Sequence, residues 1–179
     1  SKVVAVVMEA VSNSSQVIPD FNALSQGIKQ YDKDILVIVD NTWMTSALLR
    51  PLGNGADIVV ETCKFGSNRN EPCGGAIVLG KGVDQSVRRK IRWWRSTTGS
   101  APSNTYVQMW NCKLTTLHLR MHHVVQKAKT LAQWMETVPC ITKVVYSGLE
   151  THASYAQSMQ YTGGNGAGII MFQLPITDR

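Results

Sequence analysis

Apolar residues run along this chain in two different rhythms, and the change between them divides it. Residues 2–8 are apolar without a break after Lys2, the pattern of a strand covered on both faces. A polar turn, Ser12-Asn13-Ser14-Ser15, follows, and Pro19-Asp20 opens a predicted helix to about Tyr31 with Phe21, Leu24 and Ile28 on its apolar face. Residues 35–39 form a second all-apolar strand that ends at Asp40-Asn41-Thr42. A short helical stretch over 46–52 leads through Gly53 and Gly55 to a third strand at 57–61, and Gly74-Gly75 opens a fourth at 76–79. Strands alternating with helices predict an α/β layer with a mainly parallel sheet.

Beyond residue 80 the rhythm turns helical. Residues 83–98 and 103–137 read as helices, the second broken once or twice. Strands at 141–146 and 168–174 then flank a helix at 152–161. The change predicts a large domain with its connecting helix over 1–137 and the start of an α+β subdomain over 138–179. The glycine-rich run from Gly163 to Gly168 precedes a strand, so it reads as a turn and not as a phosphate loop.

Composition narrows the function classes. The 179 residues are 44% hydrophobic and 17% charged, ordinary for a globular protein, and no apolar run approaches the length of a membrane span. The opening residues make a poor signal peptide and resemble a strand entered in mid-fold, as in a partial chain. Most of the net charge of +6 lies in Arg88-Arg89-Lys90-Ile91-Arg92-Trp93-Trp94-Arg95. Basic residues interleaved with Trp suit single-stranded nucleic acid. The commoner reading is an amphipathic helix with Val87, Ile91, Trp94 and Thr98 facing inward, which sets nucleic acid aside as a partner. Cys63, Cys73, Cys112 and Cys140 follow no metal-ligand spacing, and adjacent His122 and His123 point about 100° apart on a helix. No metal site is expected, and free thiols in a reducing, cytoplasmic compartment are.

Candidate chemistry lies at the strand ends. In an open α/β sheet, ligands bind beyond the carboxyl ends of the strands. Ser12-Asn13, Asp40-Asn41-Thr42 and Glu61-Thr62-Cys63-Lys64 occupy those positions, bringing an acid, an amide and a lysine toward one crevice.

The wording and order of these clusters resemble one family. Val39-Asp40-Asn41-Thr42-Trp43, Arg50-Pro51-Leu52, Gly55-Ala56-Asp57-Ile58-Val59-Val60, Lys64-Phe65 and Gly74-Gly75 are similar to the pyridoxal-phosphate (PLP) enzymes of cysteine and methionine metabolism. These include the cystathionine γ-lyases, γ-synthases and β-lyases, and methionine γ-lyase. Glu9 to Asn13, Leu114 to Met121, Val144 to Leu149 and His152 extend the likeness over nearly the whole chain. The resemblance implies an aspartate aminotransferase-like, three-layer large-domain core and a lyase or transferase acting on cystathionine, cysteine or homoserine-derived substrates. It further implies that Lys64 holds PLP covalently as the internal aldimine and carries the substrate's α-proton. Asp40 would pair with the pyridine nitrogen, Asn13 would bond the ring hydroxyl, and Thr42 would pack on one ring face. Thr62 and Cys63 stand in the loop that meets the cofactor phosphate. A small sulfur amino acid and a homodimer or homotetramer are the implied partners.

The sequence departs from the family at telling positions. A serine three residues before the lysine and a threonine directly before it bind phosphate in the family; here they are Glu61 and Cys63. A carboxylate repels phosphate, and a thiol is a weak donor. Residues 66–72 rewrite the following loop, where Arg69 is the remaining cation, and Asn111-Cys112 replaces an arginine–glycine pair. The alternative is therefore a relative with weakened PLP binding that serves as a structural or assembly subunit.

Overall fold

The computed structural model describes residues 2–63 and 74–175. Four strands form the main sheet in the order β1 (Ala5–Glu9), β2 (Leu36–Asp40), β3 (Ile58–Thr62) and β4 (Gly75–Leu79). β1, β2 and β3 run parallel, and β4 returns antiparallel against β3. The mainly parallel sheet is thus observed. Val37 and Val39 of β2 point into a core shared with Val11, Ile18, Phe21, Met44, Leu49 and Val59. β1 begins later than its apolar run, and Val4 and Val7 are each 69% exposed. As the edge strand it is covered on one face among the described residues, although its composition suits both.

α1 (Phe21–Tyr31) starts where the sequence predicts, because the Asp20 carboxylate accepts the Ala23 N–H at 3.1 Å as an N-cap. The Tyr161 hydroxyl donates to the same carboxylate at 2.6 Å, and its ring meets Phe21 edge-on. This ties the start of α1 to the C-terminal part of the chain. The helical stretch predicted at 46–52 is two pieces: α2 (Thr45–Leu48) and a 3-10 turn (Pro51–Asn54). Pro51 excludes helical geometry from its predecessor and separates them.

α3 (Gln85–Thr97) differs from expectation. Val87 and Ile91 are only half-buried, and Trp93 and Trp94 are 59% and 60% exposed. The inward-facing stripe exists in the sequence, but Trp94 stands largely exposed, its ring edge-on to that of neighbouring Trp93 at 5.4 Å.

The long helical segment breaks once, between α4 (Asn104–Leu114) and α5 (Leu117–Met135). Arg120 fastens the break by donating to the Lys113 carbonyl at 2.9 Å and to the Thr116 hydroxyl at 3.2 Å. Leu117, Met121, Val125, Ala128, Ala132 and Met135 form the buried stripe of α5 at spacings of three and four. β5 (Lys143–Val145) and β6 (Met171–Gln173) pair antiparallel, with α6 (Tyr155–Thr162) between them, ended by left-handed Gly163 as a C-cap. Tyr146 is fully buried between two glycines. A Cβ on Gly148 would stand 2.6 Å from its ring, and one on Gly166 would stand 2.7 Å from it. Burial pushes the Tyr146 phenol up to about 12.

Candidate functional site

The ends of three parallel strands build the site. Glu9 of β1 lies beside Asp40 of β2, and Asp40 lies beside Val60 of β3, so β1 and β2 finish level while β3 runs two residues further, to Thr62. Two bonds carry the ladder one step further: Ala10 N–H to the Asp40 carbonyl and Asn41 N–H to the Val60 carbonyl, both 2.8 Å. The segments that follow therefore leave the sheet side by side.

Each segment is held locally. The Asn13 N–H donates to Glu9 Oε2 at 2.8 Å, and the exposed Asn13 side chain stands on the turn after β1. Asp40 is half-buried, and its Oδ1 accepts the Thr42 N–H at 3.0 Å, which folds the chain back over the end of β2. The Thr42 hydroxyl accepts the Thr62 N–H at 3.2 Å, joining the β2 and β3 ends directly. The structure thus connects Asp40, Thr42 and Thr62 through hydrogen bonds and sets Asn13 at the end of the neighbouring strand. Lys64 and Arg69 lie outside the described residues.

Glu61 has its own anchorage. Its Oε1 accepts from Asn41 Nδ2 at 3.1 Å, and its carboxyl also accepts the Ser46 N–H. Burial is the largest influence and raises its carboxyl above the ordinary range, with the Asp40 charge adding a smaller push. Asn41, fully buried, spends Nδ2 on Glu61 and on the Leu49 carbonyl at 2.9 Å, while its Oδ1 has no partner among the described residues. Beside them Cys63 is half-buried, its thiol pushed up first by burial and then by the Glu61 charge, so it stays protonated at neutral pH. An apolar cavity of about 170 Å³ opens next to these residues, with Trp110, Leu114 and Leu117 forming its far wall.

Two features here escape sequence reading. Thr45 is buried at φ 57°, a left-handed conformation that a β-branched side chain rarely adopts, and strain of this kind gathers at functional sites. Gln16, in the turn that carries Asn13, is fully buried although glutamine is ordinarily a surface residue. Glycine or asparagine announces a left-handed turn, and a threonine or glutamine does not.

The donor set fits a pyridine cofactor at its ring end. Asp40 offers a carboxylate at the middle strand end, with an amide on the turn to one side and a hydroxyl on its own turn. The Glu61 carboxyl, on the phosphate side of the family pattern, is engaged inward by Asn41 and Ser46.

Comparison with known proteins shows the family and the fold. The profile of a family described as Cys/Met metabolism PLP-dependent enzyme matches residues 1–178. Human cystathionine gamma-lyase is 29% identical over 161 residues, 89% of this chain and 39% of its own length. L-methionine gamma-lyase of Fusobacterium nucleatum is 32% identical over 174 residues, 94% of this chain and 42% of its own. The crystal structure of an apo methionine gamma lyase from Micromonospora echinospora superposes with a TM-score of 0.85 at 26% identity, covering 95% of this chain and 45% of that one. The chain spans about two fifths of the length of the curated relatives it matches.

Proposed function

The chain belongs to the Cys/Met metabolism PLP-dependent enzyme family, and from that premise we propose that the whole protein is a carbon–sulfur lyase or transferase of sulfur amino acids. Its substrate is cystathionine, cysteine or a homoserine derivative, and Lys64 holds PLP covalently. The observation that carries the reading is Asp40, a carboxylate at the end of the middle of three parallel strands, with Thr42 hydrogen-bonded to it and Asn13 on the turn after the neighbouring strand.

When bound, PLP supplies an electron sink for negative charge on the substrate's α-carbon. The chain's residues provide the rest. Asp40 keeps a proton on the pyridine nitrogen, as a carboxylate beside a basic nitrogen favours its charged form. The Asn13 side-chain amide donates to the ring hydroxyl oxygen. Thr42 closes one ring face while its hydroxyl fixes the Thr62 backbone. Thr62 and Cys63 stand at the phosphate end. Lys64, neutral beside the cofactor, removes a proton at the substrate's α-carbon and returns it during turnover.

We place residues 1–137 in the cofactor-binding domain and 138–179 in a second subdomain, and we expect a homodimer or homotetramer in the cytoplasm. No described helix is long and apolar enough to cross a membrane. The described cysteines, Cys63, Cys112 and Cys140, are free thiols.

A second reading has its own support. Glu61 and the protonated Cys63 thiol are poor phosphate partners, as a subunit with weakened cofactor binding would have. Turnover of cystathionine and cysteine by the full natural protein, compared with Lys64→Ala, separates the two. Wild-type release of a keto acid that Lys64→Ala abolishes supports the enzyme. Equal turnover in both proteins contradicts the assignment of Lys64, and folded protein with no turnover favours the subunit.

A further inference from the structure

The turn that carries Asn13 is fastened by residues far away in the chain. Within the turn, the Ser12 N–H donates to the Val17 carbonyl and the Gln16 N–H to the Ser12 carbonyl, both at 2.9 Å. Ser14 and Gln16 have φ of 65° and 53°, so two non-glycine residues sit in left-handed geometry within three positions. Such geometry persists where the surroundings over-determine it.

The surroundings do so through two fasteners. The first is the buried side chain of Gln16, whose Nε2 donates to the Ile169 carbonyl at 2.7 Å and whose Oε1 accepts the Ser147 N–H at 3.1 Å. The second is His152. Its Nδ1 accepts the Ser154 N–H at 3.1 Å, which leaves Nε2 to carry the proton and donate to the Ser15 carbonyl at 3.0 Å. Gln16 and Ser15 stand on the turn, whereas Ser147, His152 and Ile169 all belong to the C-terminal part of the chain.

An apolar side chain would fill the Gln16 position without the desolvation cost of a buried amide. The amide instead bridges two backbone groups that belong to neither the turn nor the main sheet. We propose that Gln16, seconded by His152, is a positioning residue that sets the height of Asn13 over the cofactor crevice and couples the C-terminal segment to cofactor binding. This rests on the reading of Asn13 as a cofactor ligand. Such coupling is reciprocal: PLP binding orders the contacts around Ser147 and Ile169, and loosening those contacts weakens PLP binding.

The test uses the full natural protein, Gln16→Met and the pair His152→Ala and His152→Gln, since a glutamine amide can still donate to the Ser15 carbonyl. PLP affinity is read by absorbance titration, backbone exchange of 13–17 by mass spectrometry on the apo protein, and global stability by urea unfolding. Gln16→Met should weaken PLP binding about tenfold, the scale set by losing buried hydrogen bonds, and speed exchange in the turn, with a modest fall in the urea midpoint because the Ser147 N–H and the Ile169 carbonyl lose their partner. His152→Ala should do the same less strongly, and His152→Gln should restore wild-type behaviour. PLP affinity and exchange within twofold of wild type in Gln16→Met and His152→Ala overturn the positioning role alone. An affinity loss that merely tracks a collapsed urea midpoint also overturns it. Absence of PLP binding by the wild-type protein sinks the cofactor reading and the positioning role with it.

Discussion

Adding one methyl group at Gly166 tests the packing that holds the C-terminal region in place. Its Cβ would stand 2.7 Å from both Cε2 and Cζ of Tyr146 and 3.0 Å from the Gly148 nitrogen. Ordinary carbon contacts lie near ~3.5–4.0 Å, so the overlap is close to an ångström. Tyr146 has no escape: it is fully buried, and Gly148 already approaches the opposite edge of the ring. Gly166→Ala should therefore cost about 2–3 kcal/mol, the upper part of the range for overpacking a filled core. For a chain of this size that is a fall of roughly 5–10 °C in Tm by calorimetry. Tyr146→Leu carries its own cost from the lost ring, but the double variant should be less destabilised than the two single costs combined by about 1 kcal/mol or more, because the smaller side chain makes room for the methyl. An unchanged Tm for Gly166→Ala, or strict additivity in the double variant, would refute the claim that the ring is clamped.

Two further outcomes concern the site itself. Because burial raises the Glu61 carboxyl above its ordinary value near 4.5, the folded chain holds that proton more tightly than the unfolded chain does. Its contribution is full below the unfolded value and is lost as pH rises through the folded one, so the Tm of Glu61→Gln minus that of wild type should grow as pH rises above the ordinary value near 4.5; parallel Tm curves would contradict this. Removing the ring partner with Asp40→Ala should weaken PLP binding about 10–100-fold, the worth of a charged hydrogen bond, and equal affinities in an absorbance titration would displace Asp40 from that role.

Much of this molecule is legible in its sequence because the signals are local. Asp20 before the apolar stripe of Phe21, Leu24 and Ile28 marks the start of α1, and unbroken apolar runs mark β1 and β2. Polar clusters at strand ends mark the crevice, because a parallel sheet brings those ends together whatever the loops contain. Other features depend on distant partners and leave no local sign. The basic helix α3 shows which of its faces suits burial, but its pattern cannot say what covers Trp94. Glu61 reads as a repulsive carboxylate until Asn41 and Ser46 are seen to hold it. Gln16 looks like any surface glutamine in a polar turn, and its burial follows from Ser147 and Ile169, more than a hundred residues away.

The central claim is a covalent cofactor site at Lys64, and its most direct measurement is chemical. The full natural protein is incubated with PLP, its visible absorbance recorded, and the complex reduced with borohydride for peptide mapping. The account predicts a yellow band that reduction fixes as a pyridoxyl group on Lys64. A folded protein that shows no band, or a label spread over other lysines, would contradict it.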